Sequence, residues 1–196
     1  SDTALPRQRS PFAELNSTCT PATILSTNTS TLPVVEMAMQ TKRPDKVIGV
    51  HFFNPAPAMT LVEIVPPLTA SAETIATVRE FAEACGKKPV EVKDRAGFIV
   101  NALLFPYCNN AVRMLENGVA TKDDIDAAMM GGCNHPMGPL ALLDLVGLDT
   151  SLAILDALYD EFRDPNYAAV PLLRRMVSAG HLGRKSGVGF YDYSKK

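Results

Sequence analysis

The sequence has little net charge, no long apolar run and few cysteines, and each shortage excludes something. Nineteen basic residues stand against 21 acidic ones, a net charge of −2, and nothing in that balance suggests a nucleic acid or an anionic membrane as partner. No apolar stretch approaches the roughly 20 residues that a membrane-spanning helix needs. Residues 1–11 lack an apolar core, so no signal peptide is expected there. Cys19, Cys85, Cys108 and Cys133 are too widely spaced for any Cys-x-x-Cys, and reduced thiols in a cytoplasmic protein are the expectation. Cys133 and His135 are two possible metal ligands, but no second pair stands at ligand spacing, so no metal is expected.

What the sequence does have is apolar material for a core, 46% of 196 residues, enough for one or two small domains. The most informative stretch is residues 47–65. Residues 47–50 read as a buried strand ending at His51, followed by a turn marked by Asn54, Pro55 and Pro57. A second strand, 61–65, is apolar except for Glu63. A carboxylate inside an apolar strand is costly to bury unless it finds a partner, and the nearest candidate is His51. An imidazole that donates one ring N–H to a carboxylate has its tautomer fixed and its other nitrogen free to take a proton. That describes a general base with its orienting group. Two plainer alternatives stay open on the residues alone: a hydrogen-bonded histidine at a strand end, and an edge-strand charge at Glu63.

Around that stretch the chain reads as two halves. Residues 1–10 are polar and irregular, 12–17 have helical periodicity, and 23–26 form a short strand running into the polar turn 27–31. Pro33 then opens a helix over 33–39, where its missing N–H costs nothing. Strand, Ser/Thr-rich turn, helix and strand describe a unit of an α/β sheet, in which ligands lie beyond the carboxyl ends of the strands. Asn28, Ser30 and His51 all fall at such ends. Capping of the helix by Ser30 or Thr31 would explain the hydroxyls equally well. A helix over 71–86, capped by Ser71 and stopped by Gly86, leads to a strand at 89–92 and a charged hinge at 93–97.

Beyond the hinge the pattern is helical: 98–117, kinked at Pro106, then 121–130, 139–146, 148–162 and 172–179, with one strand at 189–193. Asn101 sits among Phe98, Leu104 and Phe105, where its amide needs either a core hydrogen bond or a ligand. Gly183-Arg-Lys-Ser-Gly187 lacks the upstream glycine of a phosphate loop and follows a helix rather than a strand, so it reads as a basic, glycine-rich turn. The fold class is therefore α/β followed by all-α, with an α/β part over 1–93 and a helical part over 94–196. Ligands commonly bind at such a boundary.

Together these residues resemble the 3-hydroxyacyl-CoA dehydrogenase family, in particular its short-chain 3-hydroxybutyryl-CoA type. Seven motifs carry the resemblance in order: Ser26-Thr-Asn-Thr-Ser30, His51-Phe-Phe-Asn-Pro-Ala-Pro57, Leu61-Val-Glu63, Asp94-Arg-Ala-Gly-Phe-Ile-Val-Asn101, His135-Pro-Met-Gly-Pro-Leu140, Gly147-Leu-Asp149 and Gly183-Arg-Lys-Ser-Gly-Val-Gly-Phe-Tyr191. The resemblance implies the carboxyl part of a Rossmann-type sheet joined to a helical domain that pairs with its copy in a dimer or higher oligomer. It implies His51 as the base that takes the proton of the substrate 3-hydroxyl, Glu63 as its orienting carboxylate, and Ser30 on the 3-oxygen. Asn54 and Asn101 would help to position the substrate and the catalytic group, and Asn28 would lie near the NAD cofactor. The substrate would be a 3-hydroxyacyl-CoA such as 3-hydroxybutyryl-CoA, and the setting fatty acid or butanoate metabolism.

One departure stands against the match. The family opens with a strand and Gly-x-Gly-x-x-Gly, which cradles the NAD pyrophosphate at a helix N-terminus. These 196 residues contain no such motif. The expectation is a dehydrogenase lacking the first part of its cofactor domain and inactive as this chain. The alternative is a non-catalytic dimerisation module derived from that enzyme.

Overall fold

A computed structural model describes the backbone of residues 5–194 and the side chains of residues 11–194. It separates into two compact units, Ser1–Ile99 and Val100–Lys196.

The first unit is a four-stranded mixed sheet with helices on both faces. Its elements are α1 (Leu5–Thr18), β1 (Leu25–Thr27), α2 (Val34–Ala38), β2 (Val47–Phe52), β3 (Leu61–Val65), α3 (Ala72–Ala84) and β4 (Lys88–Glu91). The strands lie in the order β1-β2-β3-β4, with β1 and β2 parallel, β2 and β3 antiparallel, and β3 and β4 parallel. Strands buried on both faces read as nearly continuous apolar runs, which is why β2 and β3 stand out in the sequence. Alternate residues serve opposite faces. Val47 and Val65 pack with Phe12 of α1, with Val34 and Met37 of α2 and with Phe98. Ile48, Val50, Val62 and Ile64 pack with Val78 and Ala82 of α3. By the same period of two, His51 and Glu63 share the α1/α2 face with Val47 and Val65.

Three expectations for this unit change. Residues 5–10, expected to be irregular, belong to α1, and Pro11 lies inside that helix; residues 1–4 fall outside the described residues. Strand β2 runs on to Phe52, because His51 and Phe52 are laddered against Glu63 and Val62 of β3. Helix α2 is not capped by Ser30 or Thr31. Its N-terminal residue Pro33 gives no side-chain bond, and the Asp94 carboxylate accepts instead from Val34 N–H (2.9 Å) and Val35 N–H (2.8 Å). A helix start leaves N–H groups without intrahelical partners, and a carboxylate there is favoured by the helix dipole as well. Helix α3 keeps the expected ends: Ser71 Oγ accepts from Thr74 N–H at 3.1 Å, and Gly86 turns the chain at φ 71°.

The second unit is helical: α4 (Val100–Glu116), α5 (Lys122–Cys133), α6 (Pro139–Val146), α7 (Leu148–Phe162) and α8 (Pro171–Ser178). Its core is a set of fully buried leucines, among them Leu140, Leu143, Leu148, Leu155, Leu158 and Leu173. Helix α4 starts two residues later than its apolar run, since Phe98 adopts φ 48° outside the helix. Helix α5 passes Met130 and continues through Gly131 and Gly132 to end at Asn134 in the left-handed region, φ 55°. None of its described helices is long and apolar enough to cross a membrane.

The strand expected at 189–193 is not present. Only isolated bridges join Gly183 to Val188 and Val188 to Asp192. The N–H groups of Phe190 and Tyr191 go to the carboxylate of Asp144, each at 2.9 Å, and so are withdrawn from any ladder. A Cβ at Gly183 or Gly189 would collide with Asp144. The glycines of the basic turn let the chain wrap a buried carboxylate at close range, a use with no phosphate in it.

Candidate active site

The antiparallel register of β2 and β3 sets His51 directly opposite Glu63. His51 Nδ1 and Glu63 Oε2 are 2.7 Å apart, with His51 7% and Glu63 1% exposed. The second carboxylate oxygen, Oε1, accepts from Ile99 N–H at 3.1 Å. A carboxylate accepts only, so Nδ1 carries the proton in this pair and the lone pair of the neutral ring lies at Nε2. Both groups are out of water, where one left unpartnered would cost several kcal/mol. The pairing therefore answers the burial problem that Glu63 poses in the sequence. Two aromatic rings fix the plane of the imidazole: Phe53, with centroids 4.5 Å away and tilted at 60°, and Phe98, edge-on at 5.5 Å.

Because β1 and β2 are parallel, the chain leaves both strands at the same edge of the sheet. Asn28, one residue beyond β1, accepts on Oδ1 from Phe52 N–H at 2.8 Å and so ties the two strand ends together. The hydroxyls of Thr27 and Thr29 are buried and spent on the turn itself: Thr27 Oγ1 accepts from Thr29 N–H at 3.3 Å, and Thr29 Oγ1 from Leu32 N–H at 3.0 Å. Ser30 stands half-buried in the same turn, and Asn54 is exposed two residues past the end of β2. The fold thus brings His51, Glu63, Asn28, Ser30 and Asn54 to one edge of the first unit. Asn101 belongs to the first turn of α4 in the second unit.

Residues that shape this edge and escape a reading of the sequence are Asp94, Phe53 and Phe98. Asp94 looks like one charge of a polar hinge, and only the fold shows it holding the start of α2 across 60 residues of sequence. The available signal was its place before Ala96, Gly97 and Phe98, since a carboxylate heading a buried apolar turn needs donors.

A dinucleotide does not fit these residues unaided. Its pyrophosphate needs a strand–turn–helix with closely set glycines, and the 12 glycines include no Gly-x-Gly-x-x-Gly. Asn28 is the one cofactor-side residue that the resemblance assigns to this chain, and its amide oxygen is already engaged.

Comparison with known proteins identifies the family. Residues 5–95 match the model of the 3-hydroxyacyl-CoA dehydrogenase NAD binding domain, and residues 97–193 match that of the family's C-terminal domain. A 3-hydroxybutyryl-CoA dehydrogenase of Clostridioides difficile is 54% identical over 184 residues, covering 94% of this chain and 66% of the relative. One from Mycobacterium tuberculosis is 51% identical over 184 residues, covering 93% and 64%. The crystal structure of (S)-3-hydroxybutyryl-CoA dehydrogenase from Ralstonia eutropha superimposes with a TM-score of 0.95 at 44% identity, over 97% of this chain and 67% of that one. The chain thus spans about two thirds of the length of the relatives it matches. Both units, the motifs that join them and the relatives agree: the chain belongs to the 3-hydroxyacyl-CoA dehydrogenase family.

Proposed function

We propose that this chain carries the proton-transfer part of a 3-hydroxyacyl-CoA dehydrogenase acting on 3-hydroxybutyryl-CoA or a close homologue. The observation that carries the proposal is the buried His51–Glu63 pair, with Nδ1 committed to the carboxylate and Nε2 left as the basic nitrogen. Oxidation of a secondary alcohol removes two hydrogens. The O–H proton goes to His51 Nε2, and the imidazolium so formed is stabilised by Glu63. Ser30 donates to the 3-oxygen, and Asn54 orients the substrate. NAD, when bound, would supply the acceptor for the hydride at C3. The residues of this chain supply no cradle for that cofactor, so the proposal gives it the base and the substrate-positioning groups, with Asn28 on the cofactor side.

The helical unit fits a role in assembly. Leu103, Met114 and Val119 are exposed on and just after α4, and we assign that surface to a dimer or higher oligomer. A module kept only for assembly has no need of an imidazole and a carboxylate buried together, so the pair supports descent from an enzyme, which the non-catalytic alternative shares.

The test is calorimetric titration of NADH into the purified chain, with acetoacetyl-CoA absent and present, beside an assay of NAD-dependent 3-hydroxybutyryl-CoA oxidation. No micromolar NADH binding and little or no turnover are expected. Rapid oxidation by the chain alone would overturn the proposal that the cofactor part lies outside these residues.

A further inference from the structure

The loop between β2 and β3, residues 53–60, carries Phe53 and Asn54, and six of its eight residues are exposed. Inside it, Ala58 N–H and Met59 N–H both donate to Pro55 O, at 3.0 and 3.1 Å. These bonds fold the middle of the loop into a turn without attaching it to the sheet. The loop's last residue, Thr60, accepts from Lys88 N–H of β4 at 2.7 Å, and the middle of the loop is attached by Lys87, in the turn after α3. Its ammonium donates to Ala56 O at 2.6 Å and to Met59 O at 2.8 Å, while its own backbone N–H closes the end of α3 on Ala82 O at 3.0 Å.

We propose that Lys87 is a positioning residue for the candidate active site, holding the loop so that Phe53 stays against the His51 imidazole. The proposal rests on the reading of His51 as the base. An ammonium is a compact donor on a flexible stem and can serve two carbonyls at once, with charge-assisted bonds to each. Both carbonyls belong to an exposed loop, so water replaces the lost donor when Lys87 is removed. The fold then survives while the loop loosens. The sequence gives no hint of this, since a lysine after a helix-ending glycine reads as ordinary solvated charge.

The experiment compares Lys87→Met and Lys87→Arg with the parent chain by NMR. In Lys87→Met, amide exchange at Ala58 and Met59 should accelerate by about tenfold or more, and the cross-peaks between the His51 and Phe53 rings should weaken. The β2–β3 ladder amides and the unfolding midpoint should stay as they are. Lys87→Arg, which keeps charge and donors, should restore most of the loop protection and the cross-peaks. Unchanged loop exchange in Lys87→Met, or a loosened loop with unchanged His51–Phe53 cross-peaks, would overturn the proposal, as would an arginine variant no better than methionine. None of these readouts needs turnover. A chain that fails to bind acetoacetyl-CoA would count against the proposed function and leave this test to be decided on its own signals.

Discussion

His51 and Glu63 face each other across the β2–β3 ladder, joined by a 2.7 Å contact between Nδ1 and Oε2 in a site from which water is almost excluded. Removing the carboxylate strands two donors at once, the imidazole N–H and Ile99 N–H. Glu63→Ala should therefore lose about 1–3 kcal/mol of stability in urea unfolding. Glu63→Gln, which keeps an acceptor for the ring, should lose less. In a protein of the family's full length, His51→Gln should reduce kcat heavily with modest change in substrate binding, because a base acts in the transition state. Unchanged turnover in that variant would remove the base assignment.

The clamp of Asp94 on α2 makes a second prediction. Asp94→Ala takes the acceptor from Val34 N–H and Val35 N–H at the start of a helix of five residues. A cost of about 0.5–2 kcal/mol is expected, as for loss of a helix cap. Faster amide exchange should be confined to residues 28–38, the segment that carries Asn28 and Ser30. Loss at Ser30→Ala equal to that at Asp94→Ala would restore the hydroxyl as the cap.

These two pairs mark how far the sequence could be read. Glu63 is legible because a lone charge in an apolar strand announces a missing partner, and an antiparallel turn of known length brings His51 to it. Asp94 is not legible, because nothing local says which N–H groups, 60 residues earlier, need it. The same holds for Asp144, whose claim on Phe190 N–H and Tyr191 N–H turns an apparent strand into a wrap. Periodicity finds elements whose hydrogen bonds are local. It misses those whose backbone is satisfied by a distant side chain.

Thiol reactivity offers a third prediction. Burial, with the nearby Asp126 carboxylate adding to it, pushes the Cys108 thiol up to about 12, whereas Cys85 and Cys133 are exposed. The thiolate is the nucleophile, so iodoacetamide at pH 8 should label Cys85 and Cys133 in the native chain and reach Cys108 only on unfolding. Early labelling of Cys108 would contradict the packing of α4.

The fourth concerns alkaline pH. Tyr191 and Tyr193 are both held above the ordinary phenol value of 10.0, by burial first and then by the carboxylates of Asp126 and Asp144 that their hydroxyls meet at 3.0 Å. A group whose folded pKa is raised contributes stability that is whole below its unfolded pKa and is lost as pH rises through the folded value. Stability of the helical unit should therefore fall as pH rises above about 10. Replacing both tyrosines by phenylalanine should flatten that dependence, read from thermal midpoints across the range.

Proton transfer at this site depends on which nitrogen of His51 is free. The chain has three histidines, His51, His135 and His181, so ¹⁵N NMR of histidine-labelled protein, assigned with His51→Gln, resolves the one in question. With the ring neutral, the structure predicts the proton at Nδ1, as a slowly exchanging Nδ1–H that disappears in Glu63→Ala. A neutral His51 protonated at Nε2, or an Nδ1–H indifferent to Glu63, would contradict the assignment of His51 as a base oriented by Glu63.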